Sequence, residues 1–401
     1  MVIGIIGAGA SGMAAGLAAA ENNENTVVIF ERQARVGRKL LATGNGRCNL
    51  TNLHASEGGY FGEDASFAST ALNAFGVADT RKWFKSLGLY TVAEESGRVY
   101  PYSDQANSVV DVLRFALQKE NIQLLTGQEV SRIRKSGTGF TVQIQDDAVY
   151  CDKLIVACGG LAGTKLGGSM AGYKLLRCLG HSCTKLRPAL VQLKSDWHGC
   201  KSLKGVRANC HAEILKNGSM YAESKGEIQF TEYGLSGPVI FEISRDVCDT
   251  PGAWSCRLDF LPDMETDELR NWLPKRPGLP AEELLTGILH NRLGRVLTAA
   301  AGVRGDRRID SLTDEERSAV CGAVKNFEIE LTGTLGMDSA QVTAGGILTN
   351  EFNPDTMESR LVPNLYACGE VLDIDGACGG YNLQWAWSSG RLSGKSAGGN
   401  V

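Results

Sequence analysis

Gly7, Gly9 and Gly12 fall at the G-x-G-x-x-G spacing, which lets a chain turn tightly beside a bound diphosphate. Gly7 permits the tight bend, Gly9 lets backbone approach the pyrophosphate, and Gly12 allows a following helix to pack on the preceding strand. Between and after them, Ala10 and Ser11 open a helix whose free N–H groups and positive dipole end suit a diphosphate. The spacing carries weight only in context, and here the context is complete. Residues 2–6 are an apolar run of strand type, an alanine-rich stretch to Glu21 reads as helix, and a second strand over 26–30 ends at Glu31. Glu31 stands nineteen residues after Gly12, where an acid accepts hydrogen bonds from a ribose.

The next segment separates FAD from NAD. Arg32, Gly37, Arg38 and Lys39 extend the second strand into a basic, glycine-containing loop, which in glutathione-reductase-like flavoproteins serves the ADP half of FAD. It runs on through Asn45, Gly46, Arg47, Cys48, Asn49 and Asn52, polar groups every two or three residues beside glycines. A plain solvated loop has the same composition. A helical stripe over 108–120, a strand over 122–125 leading to Val130, and alternating strands over 140–144 and 148–150 follow. The apolar strand 153–156 then runs into Cys158-Gly159-Gly160. A meander followed by a strand ending in Gly-Gly is the second mark of an FAD fold, although a plain crossover with a glycine turn reads the same in isolation.

Chemistry-bearing residues return near the C-terminus. A strand over 364–368 ends in Gly369-Glu370, where an acid can hold ribityl hydroxyls. Gly379, Gly380, Tyr381, Asn382 and Leu383 then enter a helix over 383–394. Backbone N–H groups there can meet flavin N1 and O2, where the charge of a reduced ring develops. Arg47, Asn45 and Tyr381 are the candidate catalytic residues, since their loops should meet the ring; Tyr381 is also a plausible proton donor. Each is equally compatible with cofactor binding.

The elements that must position these residues fit 401 residues, enough for two or three domains. The expected fold is α/β: a glutathione-reductase-like, FAD-binding Rossmann domain built from 1–187 and 342–401, interrupted by an insertion over 188–341. The insertion reads as β-rich: helical periodicity is lost from 188 to 261, and Asn217-Gly218 is a hairpin turn between strands 210–215 and 220–229. A small helical subdomain follows over 263–325, with Thr313 and Glu316 as a capping box and a proline-rich connector over 275–280. Net charge is −4, with 41 Lys and Arg against 45 Asp and Glu, which gives no global attraction for nucleic acid. No apolar run is long enough for a membrane span, and no charged leader opens the chain, so a cytoplasmic protein with a small-molecule substrate is expected. Twelve Cys are then expected to be reduced thiols, mostly in the core.

With these motifs in view, the sequence resembles the YhiN/BaiN-type family of NAD(P)/FAD-dependent oxidoreductases along nearly its whole length. The matching segments are the opening glycine loop, 37–40, 43–49, Gly234-Leu235-Ser236-Gly237-Pro238, Thr343-Ala344-Gly345-Gly346, and Gly379 to Gln384. The resemblance implies bound FAD and reduction of conjugated, steroid-type enones in some members, oxidation of aminoacetone-type amines in others. Glu370 departs from the broader flavoprotein pattern, where Asp is commoner.

Other constellations are weaker. Cys178 and Cys183 have C-x4-C spacing but lie far from the loop where flavoprotein disulfide reductases keep their redox pair, so core thiols are expected. His198, Cys200, Cys210 and His211 lack metal-ligand spacing, and no metal site is expected. Asn49 and Asn217 match glycosylation acceptors without an export signal, and Ser236 lacks the G-x-S-x-G spacing of a nucleophile elbow. An FAD-dependent oxidoreductase is expected, with hydride passing at flavin N5. No second G-x-G-x-x-G stands in strand–turn–helix context, so NADH or NADPH would dock in the open site. An enone reductase is favoured, an amine oxidase is the alternative, and a non-catalytic redox sensor reporting through Cys48 is a third reading.

Overall fold

β1 (Val2–Ile6) and β2 (Thr26–Glu31) are buried on both faces, as continuous apolar runs become in a parallel sheet covered by helices. In the computed structural model, which describes residues 1–145 and 147–399, they form the centre of a five-stranded parallel sheet. Its order is Leu365–Ala367, Lys153–Val156, β1, β2, Ile122–Thr126. Val2 pairs with Thr26 and Ile6 with Phe30, so the strands end level where the glycine turn begins. Between them runs α1 (Ala10–Ala19), and the helix Ala106–Ala116 precedes the edge strand 122–126. A three-stranded antiparallel meander, Val130–Ser136, Gly139–Ile144 and Asp147–Cys151, interrupts the crossover to 153–156.

The C-terminal helix Tyr381–Gly398 lies along α1. A Cβ on Gly390 would run into Ser11 O, and one on Gly394 into Ala15 O, so only glycine permits this approach. Residues four apart on one helix meet residues four apart on the other in the same order. The two helices are therefore parallel.

The described chain divides into two compact units, residues 1–187 with 341–401, and residues 188–340. The second unit is built on a seven-stranded antiparallel sheet. Its long hairpin joins Arg207–Lys216 to Ser219–Thr231 through Asn217 (φ +51°) and Gly218 (φ +78°), the left-handed pair that an Asn-Gly turn supplies. Ile214, Ile228, Phe230, Leu258 and Phe260 share one buried cluster with Leu269, Leu293, Leu297 and Val320 from the helices that follow the sheet. The helix Asp314–Lys325 starts on the expected capping box: Thr313 Oγ1 accepts from Glu316 N (3.2 Å), and Glu316 accepts from Thr313 N (2.9 Å). Two short elements depart from expectation, the first a single helical turn over Gly199–Ser202. Pro238–Ile243 is helical although residues 188–261 show no helical period. Gly237 at φ +101° turns the chain out of the strand Gly234–Ser236, and Pro238 sits at the first turn, where its missing N–H costs nothing. A single turn and a half is too short to print a period.

Candidate active site

Gly7 N donates to Phe30 O (2.8 Å), which fastens the glycine turn to the end of β2. At φ +106° Gly7 occupies backbone that side chains avoid, and a Cβ there would stand 2.5 Å from Ala157 O. A Cβ on Gly12 would overlap Gly7 O, whereas one on Gly9 would meet nothing within 4 Å. The turn is thus closed on its inner side and open at Gly9. Gly9 caps α1 with no side-chain hydrogen bond and no acid in the first turn, leaving the amides around Ala10 and Ser11 for an anion. Glu31 is fixed beside them: its carboxylate accepts from Ala8 N (2.8 Å) and Gln33 N (2.8 Å).

The basic loop is braced more than it is free. Arg32 donates to Gly167 O (2.6 Å) and Arg38 to Gln33 Oε1 (2.9 Å). Gly37, left-handed at φ +67°, caps the short helix Arg38–Ala42. Lys39 Nζ reaches Glu370 Oε2 (2.8 Å), and Thr343 N donates to Glu370 Oε1 (2.8 Å). Glu370 thus cross-braces three segments, and both of its oxygens already have protein partners. Gly160 lies against it: a Cβ there would come 2.5 Å from Glu370 Oε1 and from Thr343 Oγ1. Gly159 is left-handed and borders open space, and Gly369, at φ +74°, packs on Ser11. Cys158 is held protonated, its thiol pushed up to about 12 by burial first and by Glu31 second. Val130 opens the meander and is buried in the core.

A second cluster forms where residues 43–52 meet the start of the C-terminal helix. Gly44, Asn45, Gly46 and Cys48 all have positive φ, an uncommon run that includes two non-glycine residues. Thr51 touches Gly380 so closely that a Cβ there would overlap the Thr51 carbonyl. Asn52 Nδ2 donates to Gly379 O (3.0 Å), and Trp387 Nε1 to Leu50 O (2.9 Å). Asn382 pins the glycine-rich turn from within, accepting from Gly376 N (2.8 Å) and donating to Gly376 O (2.7 Å), while Leu383 packs on the core. Gln384, which the sequence marks only as the end of a motif, is fully buried. It accepts from Thr51 Oγ1 (2.6 Å) and shares its two N–H groups among Phe75 O, Thr80 Oγ1 and Ser388 Oγ. That network locks the loop to the helix.

The three candidate catalytic residues share this end of the molecule with different partners. Asn45 is exposed at the tip of its turn. Arg47 is paired with Glu94 (2.9 Å) and Asp104, and its guanidinium lies 4.0 Å over the ring of Tyr100. Tyr381 meets Tyr60 edge to face at 5.9 Å, and its ring lies against Gly59. Tyr100 is the residue that sequence reasoning passed over. Its only local signal is its place in a short β run, Arg98–Pro101.

The cysteines divide the remaining readings. All twelve are free thiols, and seven are buried. Cys178 is a correction, since it is exposed at the end of the helix Ala171–Cys178 rather than in the core. Cys48 lies in the core with Leu40 and Leu50, its thiol pushed up to about 12 by burial. A reporter thiol must form thiolate, so burial argues against the sensor reading. Cys210 is buried and His211 half-exposed, on opposite faces of their strand. His211 instead lies with Glu213 and Glu223, and its Nε2 donates to Glu223 Oε2 at 2.9 Å.

Whether FAD fits can be tested on the parallel helices. Ser11 lies level with Gly390, so the C-terminal helix starts eight residues before α1 does, about 12 Å at the helical rise. Two uncapped N-termini, each behind a glycine and with no acid in the first turn, therefore face the same way in a stagger. One suits a diphosphate, and the other suits a ring that gains negative charge, with a ribityl chain between them. Asn49 Oδ1, buried without a hydrogen-bond partner beside that second terminus, is an acceptor such a group would satisfy. The residues fit.

Fold and site together define an FAD-dependent oxidoreductase of the Rossmann class. The chain belongs to the HI0933-like Rossmann-domain family, whose model matches residues 1–396. It is 41% identical to a 3-dehydro-bile acid delta(4,6)-reductase of Clostridium scindens over 98% of both chains. It is 32% identical to a ribosomal RNA dihydrouridine synthase of Escherichia coli, over 96% of this chain and 95% of that one. Among solved structures, a 3-ketosteroid delta1-dehydrogenase from Sterolibacterium denitrificans shares the fold, with a TM-score of 0.51 at 11% identity, covering 100% of this chain and 99% of that one. Among the described residues no helix is long and apolar enough to cross a membrane. Membership in an enzyme class also overturns the non-catalytic sensor reading.

Proposed function

We propose that this protein uses FAD and NAD(P)H to reduce a carbon–carbon double bond conjugated to a carbonyl in a small, steroid-like molecule. The observation that carries this reading is the 41% identity, end to end, with a bile-acid delta(4,6)-reductase. The second relative supports the same bond chemistry. Dihydrouridine is uridine with two hydrogens added across a ring double bond that is conjugated to a carbonyl.

FAD, when bound, would supply hydride from its N5. The chain's own groups do the rest. The amides around Gly9 and Ala10 hold the diphosphate, and Glu31 holds a ribose. The start of the C-terminal helix would stabilise charge on a reduced ring, and Lys39 with Glu370 and Thr343 keeps the intervening loops in place.

The rRNA-modifying relative favours RNA as a second substrate reading. Charge gives RNA no help: the chain holds 41 Lys and Arg against 45 Asp and Glu, with no net attraction for a polyanion. The test is anaerobic stopped-flow mixing of the yellow protein with NADH or NADPH, then with a 3-oxo-4,6-diene steroid or with rRNA. Bleaching followed by recolouring on the steroid supports the reading. Recolouring on rRNA alone transfers the assignment to RNA, and slow bleaching with peroxide released from amines transfers it to an amine oxidase.

A further inference from the structure

The strand Arg98–Pro101 sits between Thr51–Asn52 and Thr91–Ala93, with Val99 opposite both Thr51 and Ala93. Val99 is fully buried. Side chains alternate along a strand, so Arg98 and Tyr100 share the other face. That face looks onto both loops of the candidate site. A Cβ on Gly44 would lie 3.2 Å from Tyr100 Cε1, and one on Gly379 would lie 3.0 Å from Arg98 Nε. Arg47, anchored by Glu94 and Asp104, covers the Tyr100 ring at 4.0 Å.

Tyr100 is only 6% exposed, yet among the described residues none hydrogen-bonds its hydroxyl. The ring is buried but the hydroxyl is not: its oxygen keeps contact with solvent, so the polar tip is open to a ligand. Here the ring lies beneath a cation and beside a left-handed turn, while the hydroxyl has no protein partner among the described residues. That is the arrangement of a donor held ready for a ligand.

We propose that Tyr100 is the acid of the reaction, its O–H giving the proton that completes reduction of the conjugated double bond. The inference rests on the reductase reading above. The π bond of the alkene breaks as the hydride's electron pair forms a C–H bond at the β carbon. The O–H bond of Tyr100 then breaks, its proton forms the second C–H bond at the α carbon, and water reprotonates the phenolate. The surroundings suit both states. Burial first, and Glu94 next, raise the phenol's pKa and keep it protonated at neutral pH, while Arg98 and Arg47 act in the opposite sense and stabilise the transient phenolate. Tyr381, packed on Tyr60 and Gly59, is not needed for this step.

Tyr100→Phe tests the assignment with two kinds of acceptor. An enone needs a proton at its α carbon, whereas a nitroalkene accepts hydride to give a nitronate that persists without one. In Tyr100→Phe, turnover of the enone falls roughly a hundredfold or more. Nitronate formation stays within about threefold of wild type, and the Kd for FAD within about twofold, as expected when only proton transfer is lost. Should the variant fail to take up FAD, the wild type decides: enone turnover declines as the phenol ionises at high pH while nitroalkene turnover does not. Equal losses with both acceptors at unchanged FAD affinity, undiminished enone turnover in the variant, or matching pH profiles in the wild type would overturn the proposal. A wild type that is reduced by NAD(P)H yet reduces neither acceptor would sink the underlying reading instead, and this assignment with it.

Discussion

His181 is held at both ring nitrogens inside the first unit. Nδ1 lies 2.8 Å from Glu351 Oε2, and Nε2 lies 3.0 Å from Ser359 Oγ, with the ring stacked on Phe352 at 4.7 Å. A carboxylate can only accept, so Nδ1 carries the proton and Nε2 accepts from the serine. Burial lowers the imidazole's pKa from 6.5, outweighing the opposing pull of Glu351. The sign of the linkage follows. The unfolded chain binds a proton that the folded chain resists, so the stabilisation is complete above pH 6.5 and is lost as the pH falls from there through the lower folded value. Thermal melts between pH 5 and 7.5 should show a fall in Tm on the acid side that His181→Phe abolishes; an equally steep fall in that variant would place the acid sensitivity elsewhere. None of this was legible in the sequence, where residues 181, 351 and 359 have no common spacing. Tyr100 was hidden for the same reason: its meaning depends on pairing with Thr51 and on Arg47 folding over it, and both are tertiary facts. The fingerprint glycines were legible because their chemistry lies within a dozen residues of sequence.

At the scale of elements, the glycines divide into two kinds that the sequence does not distinguish. Gly7, Gly12 and Gly380 shape turns, whereas Gly390 and Gly394 serve helix packing alone. Sequence reading ends the last helix at 394, but the structure carries it to Gly398, where Asn25 Nδ2 caps the Gly398 carbonyl from across the helix pair (2.9 Å). The parallel contact with α1 sets the stagger between the two N-termini, so widening it should disturb both the fold and the grip on the cofactor. Gly394→Ala would press a methyl group into Ala15 O and Ala18 Cβ, at a cost of about 1–3 kcal/mol for an overpacked contact. Urea unfolding of the apoprotein measures that cost, and FAD titration should show weaker binding in step. By contrast Gly322→Ala, in a helix of the second unit where a Cβ meets nothing within 4 Å, should leave FAD affinity unchanged and stabilise slightly. Loss of FAD affinity in both variants alike would remove the argument for the helix pair. The short helix Pro238–Ile243 marks the limit of periodicity as a signal: its glycine–proline start was visible in the sequence, but its one and a half turns were not.

At the scale of the molecule, the chain leaves the first unit at Arg187 and returns at Gln341. The two ends are close neighbours, because Thr184 N donates to Gly346 O (2.9 Å) and Gly346 N donates to Thr184 Oγ1 (2.9 Å). The excursion between them has its own seven-stranded sheet and its own buried cluster, running from Leu193 to Leu331. A segment of ordinary domain length with a closed core should fold without its host. The diphosphate turn, the braced Glu370 and the start of the C-terminal helix all belong to the other unit, so cofactor binding should stay behind when the insertion is removed. Residues 188–340 produced alone should unfold cooperatively on heating and take up no FAD. The remainder, with Arg187 and Gln341 joined by a few glycines and serines, should still bind FAD while losing turnover of any substrate that the insertion helps to hold. The decisive comparison is FAD titration of the two fragments beside calorimetry of the insertion. A non-cooperative insertion would mean that its sheet depends on the host, and a colourless, folded remainder would mean that the flavin's grip is shared across both units.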